Sequence, residues 1–108
     1  MICGINWGIL VAWALAPAPL VSQENDASKG LMTAKRLCAE CHAVQLGETR
    51  SPVSSAPTFS AIAGVSGMTQ ATLRAALHTS HRTLSNGTVP PDELDAIIAY
   101  ILNLRQPG

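Results

Sequence analysis

Large aromatic side chains are nearly missing from this chain. Outside one apolar run near its start, the sequence holds a single Phe and a single Tyr. A core built on stacked aromatics is therefore excluded. The 108 residues have room for one small domain, and with a leader removed only about 85 would remain to build it. The 47% hydrophobic content overstates that core, because much of it lies in the early run. A domain so poor in large side chains buries little apolar area, and a bound cofactor is a natural candidate for its centre. Charge of one sign is also lacking. Seven Lys and Arg balance seven Asp and Glu, with no block of like charge, so the basic stripe of a nucleic-acid binder is absent and no nucleic-acid partner is expected. No run alternates Val, Ile or Thr with polar residues, which speaks against strands, and no repeat or second domain is visible.

The early run is Gly4 to Leu15, GINWGILVAWAL. Its length of about a dozen residues fits the core of an export signal and falls short of the roughly 20 that a membrane-spanning helix needs. No Lys or Arg precedes it, the first being Lys29, and Pro17 follows Ala14-Leu15-Ala16 awkwardly for a cleavage site. Processing near Ser22 is expected instead. Residues 1–22 then form a signal peptide and 23–108 a periplasmic domain with no membrane span, and Cys3 leaves with the leader.

What the chain does have is Cys38-Ala39-Glu40-Cys41-His42, CAECH. In an oxidising compartment, paired thiols can form a disulfide or a thioredoxin-like redox pair, although the latter belongs near a βαβ pattern that is missing here. Zinc held by Cys38, Cys41, His78 and His81 is another reading, but the spacings miss those of zinc fingers. Cys-x-x-Cys-His has a stricter meaning. Two thiols on one helical turn can each add to a vinyl group of a haem, and the adjacent histidine then lies under the iron as its proximal ligand. One covalently attached haem c at Cys38, Cys41 and His42 is the leading expectation.

The remaining elements read as helices and loops. Residues Asp26 to Cys38 form a first helix, with Asp26 or Ser28 as its cap and Leu31, Ala34 and Leu37 on one face, and the CAECH motif closes it. Ala43 to Pro57, rich in Gly, Ser and Pro, is a loop. Thr58 to Ala63 is a short helix stopped by Gly64. Thr69 to about Ser80 is a third helix, with Leu73 and Leu77 on one face. After the break at Asn86-Gly87 and Pro90-Pro91, the positions Leu94, Ile97, Ile98, Ile101 and Leu102 mark the clearest helix, with Pro91, Asp92 and Glu93 suited to its first turn.

With these residues in place the chain resembles the class I cytochromes c, in particular their small bacterial periplasmic members, over roughly Gly30 to Leu104. Gly30, eight residues before Cys38, looks like the glycine that lets the first and last helices of that fold cross closely. Tyr100 looks like its aromatic counterpart on the last helix. Ala56-Pro57-Thr58-Phe59 is similar to the family's Gly-Pro-x-Leu segment. The resemblance implies an all-α fold of about four helices around one covalent haem. It also implies that the Pro57 carbonyl accepts the Nδ1 hydrogen bond of His42 and that Phe59 forms an apolar wall.

The sequence departs from the family at the sixth iron ligand. Similar cytochromes carry a His-x-x-Met-Pro run, where this chain has His81-Arg82-Thr83-Leu84-Ser85, and leucine cannot bind iron. Met68, the only methionine after the motif, reads as an apolar residue before the third helix. Met32 reads as packed in the first helix, and His78 as solvated beside Arg74. Asn86 offers a weak oxygen ligand. His81, near the face of Leu73 and Leu77, and an open or weakly ligated sixth position are the two main expectations.

Two functions follow. One is a single-electron carrier between periplasmic donor and acceptor proteins, with Lys29, Lys35 and Arg36 as a docking patch. The alternative is a haem protein that binds a small molecule at an open sixth position, as sensor or modest catalyst. No distal acid/base pair is identifiable, so an enzyme is not the first expectation.

Overall fold

A computed structural model describes Gly8, residues 21–82 and residues 89–105, with residues 21–25 described by their backbone alone. The described residues are all helical apart from turns and loops, and hold no strand. The four helices are α1 (Val21–Leu37), α2 (Phe59–Ala63), α3 (Gln70–Ser80) and α4 (Pro91–Asn103).

The short helices start where side-chain chemistry tells them to. Thr58 caps α2, its Oγ1 accepting from the Ala61 amide at 3.0 Å, and Thr69 caps α3 by accepting from the Thr72 amide at 3.1 Å. Each satisfies one amide that the first turn would otherwise leave unpaired. Helix α4 has no side-chain cap. It opens instead with Pro91 at its first position, where the missing N–H costs nothing, and with Asp92 and Glu93 facing the positive end of the helix dipole.

Helix α1 begins at Val21 rather than at the expected Asp26. Between Pro19 and Gly30 the sequence contains no Pro or Gly, so Asp26 and Ser28 lie inside a helix that nothing interrupts, and neither caps it. The helix also runs across the expected processing point near Ser22. Its other end falls where the sequence placed it: the helix closes at Leu37, and the Cys38 and His42 amides donate to the carbonyls of Ala34 and Cys38, at 2.8 and 2.9 Å. The CAECH motif is thus a turn wound directly onto the end of α1.

The core lies where α1 and α4 cross. Ile97 and Ile98 are its largest fully buried side chains, with Ala34, Phe59, Ala63, Leu73, Tyr100 and Ile101 around them. Gly30 sets the depth of the crossing. A Cβ built there would lie 2.1 Å from the Ala96 carbonyl oxygen and 2.6 Å from the Tyr100 Cβ, so only hydrogen fits. Leu31 and Leu37 pack against this core, but Met32 does not: it is 73% exposed. Ala34 and buried Thr33 face α4, and Met32 falls on the opposite side of α1.

Salt bridges stitch the same pair of helices at the surface. Lys29 pairs with Asp92, and Arg36 with Glu93 at 2.9 Å, while Arg74 of α3 pairs with Asp95 at 2.7 Å. The Lys29 ammonium holds the Asp92 carboxyl below its ordinary range, and Asp92 in turn raises Lys29. All three pairs are solvent-screened and add little stability. They do revise the expected docking patch, because Lys29 and Arg36 are neutralised by the acidic first turn of α4 and only Lys35 keeps its charge apart from these pairs. Arg105 ties the far end of α4 to the α2–α3 turn, its guanidinium donating to the carbonyls of Ala63 and Met68.

Gly30→Ala should destabilise the protein by at least about 1–3 kcal/mol, the usual cost of overpacking, since two of its three closest contacts are rigid backbone atoms. Gly64→Ala is the control. Its Cβ would meet nothing closer than the Ser60 carbonyl at 3.4 Å, so urea denaturation should separate the two variants clearly.

Candidate haem-attachment site

The site grows from the turn at the end of α1. Cys38 points into the core and is buried, whereas Cys41 is exposed, and both thiols are free. Burial and the neighbouring Cys41 push the Cys38 thiol up to about 11. A redox or nucleophilic pair needs the opposite, a depressed thiol acidity that keeps thiolate present near neutrality. Cys38 does not have that depressed acidity. Among the described residues no cluster of three or more His, Cys, Asp or Glu side chains is arranged to hold a metal ion, and the zinc reading lacks its ligand set.

His42 is fixed by its partner. Its Nδ1 donates to the carbonyl of Pro57 at 2.6 Å. A carbonyl oxygen can only accept, so Nδ1 carries a proton, and in the neutral ring Nε2 is the lone-pair nitrogen. This is the tautomer a metal ligand requires, and the hydrogen bond both orients the ring and raises the basicity of Nε2. Phe59, two residues beyond Pro57, is buried with its ring 5.6 Å from that of His42 and 6.3 Å from that of Tyr100. It forms an apolar wall between the imidazole and the helical core.

The loop carrying Pro57 is held to the motif at several points. The Ala43 amide donates to Ser51 Oγ at 3.0 Å, the Val53 amide to the Cys41 carbonyl at 3.2 Å, and the Phe59 amide to the Ala43 carbonyl at 2.9 Å. These bonds turn a segment without internal periodicity into a bracket around His42. Tyr100 closes it from the other side, its hydroxyl donating to the Val44 carbonyl at 2.6 Å. Sequence reading placed Tyr100 at the helix crossing but missed this bond, whose partners lie far apart along the chain. Ser51 was missed too, because one serine among several in a loop carries no signal.

Beside His42 lies His81, the first residue beyond α3. Its ring centre is 6.0 Å from that of His42. His81 is half-buried, and its Nδ1 is buried without a hydrogen-bond partner. His78 is exposed. Met68 is half-buried and packs against the apolar core. Leu84, Ser85 and Asn86 lie outside the described residues, as does the apolar run from Gly4 to Leu15 apart from Gly8.

The donor set fits a covalent haem: two free thiols on one turn, an imidazole held in the ligating tautomer, and an aromatic wall beside it. No protein-family profile, characterised protein or solved structure matches this chain. The site's own geometry therefore carries the functional argument.

Burial, and the Glu48 carboxylate nearby, push the Tyr100 hydroxyl above its ordinary value of 10.0. The unfolded chain then loses this proton at lower pH than the folded one does. The resulting stabilisation is complete below pH 10.0 and disappears as pH rises through the higher folded value. Tyr100→Phe should cost about 1 kcal/mol at neutral pH, by removing the bond to Val44. It should also flatten the loss of stability above pH 10, and denaturation midpoints of both proteins across the alkaline range check this.

Proposed function

We propose that this protein is a c-type cytochrome that carries single electrons between exported redox partners. One haem c is attached through Cys38 and Cys41, with His42 as an axial ligand. The observation that carries the reading is the Nδ1 hydrogen bond from His42 to Pro57, beside two free thiols in the Cys-x-x-Cys-His order. The resemblance to class I cytochromes c is supported by the all-helical fold, by the close crossing at Gly30 and by the position of Tyr100 in that crossing.

Each residue has a definite part. Cys38, from within the core, and Cys41, from the surface, would hold the haem through thioether bonds, each made by adding S–H across one vinyl double bond with no net oxidation. The Pro57 carbonyl holds the His42 ring so that Nε2 remains a donor. Phe59 and the buried face of α4 keep water from one side of the imidazole, which limits reorganisation around it. When bound, the haem iron supplies the one-electron couple.

No helix among the described residues is long and apolar enough to cross a membrane. With Lys29 and Arg36 engaged by α4, docking of donor and acceptor proteins has little long-range electrostatic steering and depends on local contacts. The alternative, a small-molecule binder with an open sixth position, drew on Leu84, which lies outside the described residues.

Two measurements test the proposal. Acid-acetone extraction of the protein matured in a haem c-competent periplasm should leave haem on the polypeptide, and complete release of haem would overturn the assignment. His42→Ala should largely abolish stable holoprotein while leaving the two thiols in place. Unchanged spectra and stability in that variant would mean that the iron is held elsewhere.

A further inference from the structure

Resting on the haem reading above, we propose that His81 is the second axial ligand, so that the iron is held between two imidazoles and its sixth position is closed. Three observations meet at this residue. First, its backbone leaves the helix: α3 ends at Ser80, and His81 has φ −128° and ψ 55° with its amide still donating to the Leu77 carbonyl at 3.2 Å. Its ring lies near that of His42, whereas His78, inside α3, is exposed.

Second, the separation from His42 has the right size. An imidazole nitrogen binds a first-row metal at about 2.0–2.1 Å, as on zinc, and the ring centre sits roughly 1.1 Å behind that nitrogen. Two imidazoles on opposite sides of one metal therefore have centres roughly 6.2–6.4 Å apart, a few tenths of an ångström more than the observed 6.0 Å. The 37° angle between the ring planes is compatible, because two rings on a common axis can rotate about it. Third, Nδ1 of His81 is buried without a partner. A buried ring nitrogen left unpaired costs about 1–3 kcal/mol, so the position is unfavourable for a histidine that is mere packing. Iron bound at this nitrogen would give it the partner it lacks.

The rival donors are placed less well. The Met68 side chain packs against the apolar cluster that includes Phe59 and Ala63, while Arg105 binds its carbonyl. Met32 is on the exposed side of α1, and His78 is exposed on α3. Two histidines fall short of the three or four ligands that a protein-bound zinc needs. They are the full axial complement for an iron whose other four positions a porphyrin fills.

Replacement of the usual thioether by an imidazole has consequences. Methionine ligation raises the reduction potential of a cytochrome c, so the His42–His81 pair places this protein among lower-potential carriers. It also removes the open coordination position that a sensor of carbon monoxide or nitric oxide would need.

The test uses the purified holoprotein with its covalent haem. Near-infrared magnetic circular dichroism of the oxidised wild type should show a low-spin bis-imidazole signature, and the reduced protein should not bind carbon monoxide. A thioether signature, or a high-spin wild type that binds carbon monoxide at once, overturns the proposal and leaves the covalent haem assignment standing. His81→Ala should be high-spin and bind carbon monoxide, and added imidazole should restore the low-spin spectrum. His81→Met should remain low-spin with a raised potential. Met68→Leu should leave the spectrum unchanged, and loss of the low-spin state there would assign the ligand to Met68 instead. Should His81→Ala fail to accumulate, the wild-type spectrum alone decides the matter. A preparation in which no haem is covalently attached contradicts the functional reading itself, and this inference with it.

Discussion

The close crossing of α1 and α4 at Gly30 is the constraint on which the rest of the molecule depends. With the Ala96 carbonyl and Tyr100 pressed against a residue that has no side chain, the two longest helices share one core. The end of α1 then lies along α4. That places the CAECH turn next to Tyr100, and the Tyr100 hydroxyl can reach the Val44 carbonyl just beyond the motif. A bulkier residue at position 30 would push the helices apart and carry the motif away from its supports. The fold thus brings a local feature of sequence, a turn with two thiols and an imidazole, against a long-range wall of apolar side chains.

A second layer of order comes from the loop between the motif and α2. It has no periodic pattern to bury and holds its form through single hydrogen bonds to Cys41, Ala43 and His42. Such a bracket is specific because each bond satisfies a backbone or side-chain group near the core that would otherwise be costly to bury. Its product is one imidazole of defined tautomer, with its lone pair turned away from Pro57. The small size of the domain sharpens the point. With one Phe and one Tyr in the described core, the chain is short of apolar surface, and a buried porphyrin would supply what its side chains do not.

Much of this was legible in the sequence because it is local or tied to a short motif. The four helices follow from apolar spacing and from Thr58, Thr69 and Pro91 at their starts. The crossing at Gly30 and the contact between His42 and Pro57 were expected from the resemblance to class I cytochromes c. Other features were not legible, for physical reasons. Helix α1 starts earlier than its apparent caps because no Pro or Gly lies between Pro19 and Gly30 to stop it, and a helix tolerates Asp26 and Ser28 inside it at a small cost. Lys29, Lys35 and Arg36 look alike in sequence, and only the register between α1 and α4 decides that Lys29 and Arg36 meet Asp92 and Glu93. Met32 has the composition of a core residue, but the helix turns it outward. The bonds from Tyr100 to Val44 and from Arg105 to Ala63 join residues whose proximity no periodicity reports.

The central claim is that the chain presents His42 as a ligand by holding a proton on Nδ1 and leaving Nε2 for the metal. Long-range nitrogen–proton NMR of the reduced, diamagnetic holoprotein tests this most directly. The account predicts a protonated Nδ1 on His42 whose proton exchanges far more slowly than those of exposed His78, and an Nε2 without a proton. A proton on Nε2, or an Nδ1 proton that exchanges as fast as those of His78, would contradict it.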